Sequence, residues 1–442
     1  MAPGFLRGQM GFWGMVGVVM TALKLKDHMD DYHQVPSEED GLGPVALRSP
    51  VQEGAELPEV LTLDTEIPGA HRPKRKRRDC CVCCGMRCGL FWKAFGIVCL
   101  IFLVWQSIKL IFWAVTPSPT GLEGMPEFSK SLGCIDAPYI YNPEQTIYSV
   151  PIGLDKADHT LDFGRTKAVG TIIIADGAPD ATDIQLEMIL RTNDESLLDS
   201  VDLHIPEGIS DDGTASIVRL TTPAIDSSSC MRYDVVLRVP TQLKKLAIKT
   251  RGIAQIKFAP EAQVSLSTLF VTMFGTTEHD MILPHANIRA DELHLQMNRG
   301  WLVGEVSLVE KTVINTQNGD AVSNIHVLPV PLQTEGEKPA QAEFETTTGS
   351  GRSDFFYVTD RGAPHRPISS MHVASRNGDL YLTYKEAEFS GQVDLQAKSY
   401  SSTGVQGTFG HKEGEELPWV GDANGGDKLV AKSNKGWIGL YF

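Results

Sequence analysis

The chain has 442 residues, 42% of them hydrophobic, and a formal net charge of −15. That is length and apolar content enough for a sizeable folded domain with further segments attached. Residues 1–93 balance 12 basic against 12 acidic residues, whereas the stretch after residue 115 holds 27 basic and 43 acidic ones. Phosphate recognition needs a basic face, so an acidic folded region excludes nucleic acid as its partner.

Residues 1–90 are expected to form a disordered cytosolic tail. Met29–Ala70 is acidic, punctuated by proline and poor in aromatics, and cannot bury enough surface to fold. An apolar run at Gly11–Leu23 has the length of a signal-peptide core. Cleavage after it would leave the basic block "RPKRKRR" (Arg72–Arg78) on the outer face, against the positive-inside rule. "MDDYHQVPSEED" from Met29 also reads as a natural polar beginning. The expectation is an uncleaved tail whose basic block meets anionic membrane lipids.

"CCVCCGMRC" follows at once. It is one short run without the second half that structural zinc sites need. Cysteines on the cytosolic side of a span are S-acylation sites by position, so Cys80, Cys81, Cys83, Cys84 and Cys88 are candidates for lipidation. Inert reduced thiols are the plainer alternative.

"FWKAFGIVCLIFLVWQSIKLIFWAV" (Phe91–Val115) is apolar on all sides. As a helix, Ala94–Val115 would be about 33 Å long, which matches a hydrocarbon core. Phe91, Trp92 and Trp113 stand near its ends, where aromatic belts form. The basic block precedes the span, and the first basic residue after it is Lys130. A single-pass protein is therefore expected. Its N-terminus would be cytosolic and its C-terminal domain extracellular or lumenal, at the plasma membrane or in the secretory pathway.

Residues 116–165 read as a stalk or lead-in and residues 166–442 as an all-β domain. Period-two alternation recurs in "VGTIIIA", "IQLEMIL", "YDVVLRV", "DELHLQM", "DLYLTY" and "GWIGLYF", with Gly, Asn, Asp, Pro and Ser between the runs. Cys134 and Cys230 are the two cysteines of this oxidising region. A disulfide between them and a pair of buried thiols both fit. No N-x-S/T occurs after Val115, so N-glycans are not expected.

The glycines align. After Gly252, Gly300, Gly319, Gly378 and Gly436, the second residue is Ala254, Leu302, Ala321, Leu380 or Ile438. The sixth is Phe258, Val306, Ile325, Tyr384 or Phe442, and the fifth before each is Ala247, Leu295, Ile314, Val373 or Ala431. Offsets of two and six share parity and so mark one strand face. Each copy reads as an incoming strand, a glycine corner and an outgoing strand. Arg or Lys before three of the glycines argues against a type I′ hairpin. One glycine at φ > 0 would suffice for the corner. If Gly275 and Gly351 are further corners, the step approaches 20–30 residues, the scale of coiled β repeats.

The stretch "IRADELHLQMNRGWLVGEVSLVEKTVINTQNGDAV" (Ile288–Val322) resembles an adhesin-like β-solenoid family of unknown function, which repeats strand, S/T-x-N-G-D, strand. The resemblance is best over 243–384 and extends to Phe442. The whole plan of tail, span and domain also resembles fungal-type single-pass membrane proteins. It implies a β-solenoid or parallel β-helix-like domain that binds or builds at a surface, without cofactor. A cell-wall glycan or another surface protein is then the partner. It assigns no catalytic residue.

An enzyme is the alternative. The chain has no D-x-D, H-E-x-x-H, G-x-S-x-G or P-loop. Parallel β-helices do include carbohydrate-active enzymes with clustered carboxylates. Asp320 and Asp379 each follow a corner glycine and would line up if their coils were neighbours.

Overall fold

A computed structural model describes residues 12–32, 82–83, 86–115, 120–153, 157–165, 167–206, 216–331, 340–359, 364–410 and 416–442. The chain divides into two compact units, Met1–Ser118 and Pro119–Phe442.

The first unit contains helix α1 (Phe12–Tyr32), a small antiparallel pair β1 (Val82–Cys83) and β2 (Met86–Arg87), and helix α2 (Cys88–Val115). Over Phe91–Ile111, α2 is long and apolar enough to cross a membrane. Leu100, Leu103, Trp105 and Leu110 on it are more than half exposed, as expected of side chains meant for lipid rather than a protein core. One stripe is covered. Ala94 and Val98 pack with Val16 of α1, and Val19, Met20, Leu23 and Phe91 close around them. The stretch read as a tail therefore includes a helix, built on the apolar run Gly11–Leu23. Residues 33–81, which hold most of the acidic stretch and the basic block, lie outside the described residues.

The second unit is dominated by strands. It opens with a single 3₁₀ turn at Lys130–Leu132 and two short strands, β3 (Tyr139–Ile140) and β4 (Ile147–Val150). Next come β5 (Asp158–Arg165), β6 (Val169–Asp176), β7 (Ile184–Thr192), β8 (Asp202–His204), β9 (Ser216–Thr221) and β10 (Met231–Val239). A regular series follows: β11 (Lys245–Thr250), β12 (Ala254–Phe258), β13 (Val264–Met273), β14 (Met281–Leu283), β15 (Ile288–Met297) and β16 (Trp301–Leu308). It continues through β17 (Lys311–Asn315), β18 (Val322–Pro329), β19 (Ala342–Thr348), β20 (Ser353–Val358), β21 (Ile368–Ala374) and β22 (Leu380–Glu386). The last three are β23 (Gly391–Thr403), β24 (Trp419–Val420) and β25 (Asp427–Tyr441).

From β11 and β12 to β21 and β22, pairing skips one strand at each step. One parallel ladder runs β9–β5–β11–β13–β15–β17–β19–β21. The other runs β10–β6–β12–β14–β16–β18–β20–β22. Alternate side chains of both meet in one core, for example Leu293, Leu295 and Met297 of β15 with Leu302, Val306 and Leu308 of β16. At the first end the ladders are closed by antiparallel strands. There β7 covers β10, β4 and β3 cover β7, and β8 covers β9.

The far end departs from chain order. β25 serves both ladders: Lys428–Ser433 pairs with β21 and Ile438–Tyr441 with β22. β23 then pairs with the outer side of β25. The spatial order is therefore β22, β25, β23.

Gly252, Gly300, Gly319 and Gly378 sit at turns between the two ladders, Gly275 and Gly351 occupy two more, and Gly436 lies within β25 where that strand passes from one ladder to the other. The reason for glycine differs from the expectation. Of the five aligned glycines, Gly300 alone has a positive φ, at 106°. The common cause is crowding. A Cβ on Gly319 would overlap the Asn298 carbonyl, one on Gly351 the Ala321 carbonyl, and one on Gly436 the Gly378 carbonyl. Gly300, Gly319, Gly351, Gly378 and Gly436 each rest directly on the backbone of the layer before.

Every +2 residue of the alignment is buried. At the fifth position before the glycine, Leu295, Ile314 and Ala431 are buried, but Ala247 and Val373 are not. Their neighbours Leu246, Ile248, His372 and Ala374 face the core instead. The incoming strand ends at a variable distance from its corner, and a one-residue difference exchanges the faces.

Candidate functional site

Residues 128–134 are held tightly to the β strands of their own unit. Cys134 and Cys230 form a disulfide with Cα atoms 6.0 Å apart, closing a sequence separation of 96. Two residues on, Arg232 of β10 is buried, with 2% of its side chain exposed. Its Nε and Nη2 donate to the Asp234 carboxylate at 2.7–2.9 Å. Its Nη1 donates to the carbonyls of Ser129 (2.7 Å) and Gly133 (3.0 Å), and Nη2 to Ser129 Oγ (2.6 Å). Gln255 of β12 completes the grip. Its Oε1 accepts from Ser129 N at 2.5 Å, and its Nε2 donates to Ser131 Oγ at 2.8 Å. Lys257 lies over the Phe128 ring, 5.7 Å from its centroid.

Ser129 and Cys134 both have positive φ, 70° and 55°. Such backbone is uncommon for a residue with a side chain and persists where the surroundings fix it. The guanidinium, the amide and the disulfide supply that fixation here. Of these residues the sequence points to the cysteines alone. The available hint for the rest was "CMRYD", with Arg and Asp two apart on one strand face beside Cys230; "RSD" at Arg352–Asp354 forms the same bidentate pair.

The outer face of the second ladder carries a groove of about 510 Å³. Register places Glu305, His326, Phe356 and Thr383 in one row across four neighbouring strands. Lys385 and Glu386 flank the row. The His326 ring meets Phe356 edge-on, with centroids 5.1 Å apart. A half-exposed aromatic face between acceptors and a cation suits a ring that is apolar on its faces and hydroxylated at its rim.

Asp320 and Asp379 are not brought together. Strand β20 lies between their strands, so they stand two ladder steps apart, about 10 Å. Both are exposed at corners. Asp320 faces Arg299 at 3.5 Å, and Asp379 accepts from Trp437 N at 3.2 Å. These are turn-stabilising roles. Among the described residues, no group of three or more His, Cys, Asp and Glu side chains is placed to hold a metal ion. Of the lipidation candidates, Cys80, Cys81 and Cys84 lie outside the described residues; Cys83 ends β1 and Cys88 opens α2.

Two carboxylates fasten the turns from inside. Asp427 accepts from Ile368 N and Ser390 N, both at 2.7 Å, and from His365 Nε2 at 2.9 Å. Asp280 accepts from Ala254 N and Thr277 N. Burial pushes both above the usual carboxylate range, against the pull of those amide bonds.

The core holds a polar cluster. His372 Nδ1 contacts Thr346 Oγ1 at 2.8 Å and Nε2 contacts the Tyr357 hydroxyl at 2.9 Å, which also reaches Ser370 Oγ at 3.0 Å. Burial lowers His372 to about 3 and His159 to about 4. In the unfolded chain each imidazole titrates near 6.5. Above that value both states are neutral. Below it the unfolded chain takes up protons that the folded chain refuses, so stability falls as pH drops from 6.5. Each pH unit costs up to about 1.4 kcal/mol per histidine. The raised Asp280 and Asp427 act in the opposite sense nearer pH 4. The melting temperature should fall between pH 7 and pH 5, and His372→Gln should flatten that slope. An unchanged slope in the variant would discount His372 as its source.

No family model matches the chain, and no curated protein matches it either. A crystal structure of a protein from Clostridium sporogenes, proposed to act in cell adhesion, aligns over 67% of this chain and 97% of that one. Identity is 10% and the TM-score is 0.20, too low for the likeness to bear on function.

Proposed function

We propose that this chain is a non-enzymatic, single-pass membrane protein that displays a β-solenoid domain for contact at a surface. The clamp on residues 129–134 carries the reading. A domain whose lead-in is fastened to it by a disulfide and a buried Arg resists being pulled open through that segment, and a stable disulfide belongs to an oxidising compartment. The basic block before the span supports a cytosolic N-terminus. A C-terminal tag should be digested by external protease on intact cells, or stay protected inside sealed organelles. Digestion once the plasma membrane alone is opened would put the domain in the cytosol and overturn the orientation.

The partner class is a surface glycan or another surface protein, and the Glu305–Thr383 row is the contact face for a glycan. Phe356→Ala should abolish retention on a glycan array while leaving the melting temperature within about 2 °C; retention unaffected by the change removes the groove from the reading. Juxtamembrane acylation belongs to the same picture. Hydroxylamine-sensitive palmitate labelling should disappear when Cys80, Cys81, Cys83, Cys84 and Cys88 are all changed to Ser, and labelling that persists rules these sites out.

A further inference from the structure

The two ends of the double ladder are finished differently. Antiparallel strands cover the first end. At the other end β23 is the last strand, and β24 meets it only at Gly391 and Gln392. Val393 N donates to the Pro418 carbonyl, and Gln406 bridges Trp419. Among the described residues, nothing pairs with the outer edge of β23 from Asp394 to Thr403.

Backbone direction along that edge is defined. The Thr403 carbonyl accepts from Phe442 N, so Thr403 faces β25. Alternation then turns the N–H and C=O of Tyr400 and Ser402 to the open side. The core is only partly covered there, by Phe409, Val420 and Phe442. Tyr400 and Ser402 stand opposite Ile438 and Leu440, both fully buried, so theirs are inward positions. Yet Tyr400 is 44% exposed. Repeat arrays normally end in a layer whose outer side is polar and closed. Here the inward Tyr400 ring meets Phe409 edge-on, with centroids 5.3 Å apart, and is otherwise left open.

We infer that this edge pairs with the same edge of a second copy, β23 against β23, antiparallel about a two-fold axis at Ser401. In that register Tyr400 exchanges both backbone hydrogen bonds with the partner's Ser402, and Ser402 with the partner's Tyr400. These are the two residues whose groups point outward. Ser401 faces its own copy, Ser399 faces the partner's Thr403, and Lys398 faces the partner's Gly404. No charge opposes a like charge, so the edge is complementary to itself. The face parity is kept, and Tyr400 gains cover on its inner side.

The edge lies seven to nine ladder steps, about 35–45 Å, from the clamp on residues 129–134. It is thus the end of the domain farthest from the anchored lead-in. So short a pairing is weak alone, as small interfaces are. Anchoring many copies in a membrane raises their effective concentration and compensates. The inference rests on the reading of this domain as a contact module, but its test is independent of the side of the membrane on which the domain lies.

The test uses the full chain in liposomes. Ser401→Cys places thiols across the axis at a spacing that antiparallel non-hydrogen-bonded pairs share with disulfides. Under mild oxidation it should give roughly tenfold more covalent dimer than Gln317→Cys, an exposed corner in mid-ladder. Adding Ser402→Pro removes an outward donor at an edge where proline is tolerated, and should abolish that dimer. Ser401→Lys and Ser401→Asp should each fail to co-purify with differently tagged copies of themselves, yet co-purify with one another. Equal cross-linking at residues 401 and 317, or a residue-401 dimer that survives Ser402→Pro, overturns the inference.

Discussion

Gly319→Ala is expected to destabilise the β domain by about 3 kcal/mol or more. The added methyl would overlap the Asn298 carbonyl of the neighbouring layer. Overpacking a core side chain costs about 1–3 kcal/mol when rotamers can yield. Here the obstacle is main chain whose position is set by ladder hydrogen bonds on both sides, so the upper end applies. Gly436→Ala, against the Gly378 carbonyl, should behave alike. Asn318→Ala is the control. Its side chain is exposed, and surface changes of that kind stay within about 0.5 kcal/mol. Thermal melts of the three variants decide the matter. A Gly319→Ala protein as stable as Asn318→Ala would show that the layers can part at the corner.

Arg232→Met should cost about 3–5 kcal/mol, the range for removing one partner from a buried charge network. Asp234 would keep only Thr171 at 2.8 Å and a long contact to Arg191 at 3.9 Å. The Ser129 and Gly133 carbonyls would lose their donors. Arg232→Lys keeps the charge but not the planar fork, and should fall between the two. Limited proteolysis with intact-mass readout checks this. New cleavage should appear at residues 120–133 in Arg232→Met. Cys134 and Cys230 both lie after those sites, so the two fragments should separate even without reductant. The disulfide closes a loop worth about 4–5 kcal/mol in the chain-entropy view, so reduction should compound the loss. Native-like protection of residues 120–133 in Arg232→Met would remove the Arg from the clamp.

Much of the fold is legible in the sequence, for identifiable reasons. The apolar run at Phe91–Ile111 has no reading other than a long apolar helix. Strands betray themselves by alternation, and the glycine alignment finds the corners, including Gly275 and Gly351. The cause of the glycines is not legible. A glycine needed for positive φ and one needed for close approach are the same letter, and only Gly300 is of the first kind. The fixed offset of five before the glycine fails at Ala247 and Val373 because corner length is free to vary while faces are not. Alternation also says nothing about which strands are neighbours. Parallel ladders pair through backbone, so the carboxylates Asp320 and Asp379 could be aligned on paper while β20 stands between them. Arg232 was invisible for a different reason. Its burial comes from residues 129–133 folding back across about a hundred positions, and no local pattern reports that.

The placement of β25 between β22 and β23 has a consequence for how the domain comes apart. A linear array in which layers follow chain order can fray one layer at a time from its free end, each opening costing only its own contacts. Here the last strand of the chain is not the outermost one. β23 has no contact ladder with β22, so removing β25 strands it, and β23 cannot dock until β25 has. Loss of β25 therefore opens both outer layers, whereas β23 can open with β25 still paired to β21 and β22. Hydrogen exchange in β25 should therefore be slower than in β23, although β25 follows it in the chain.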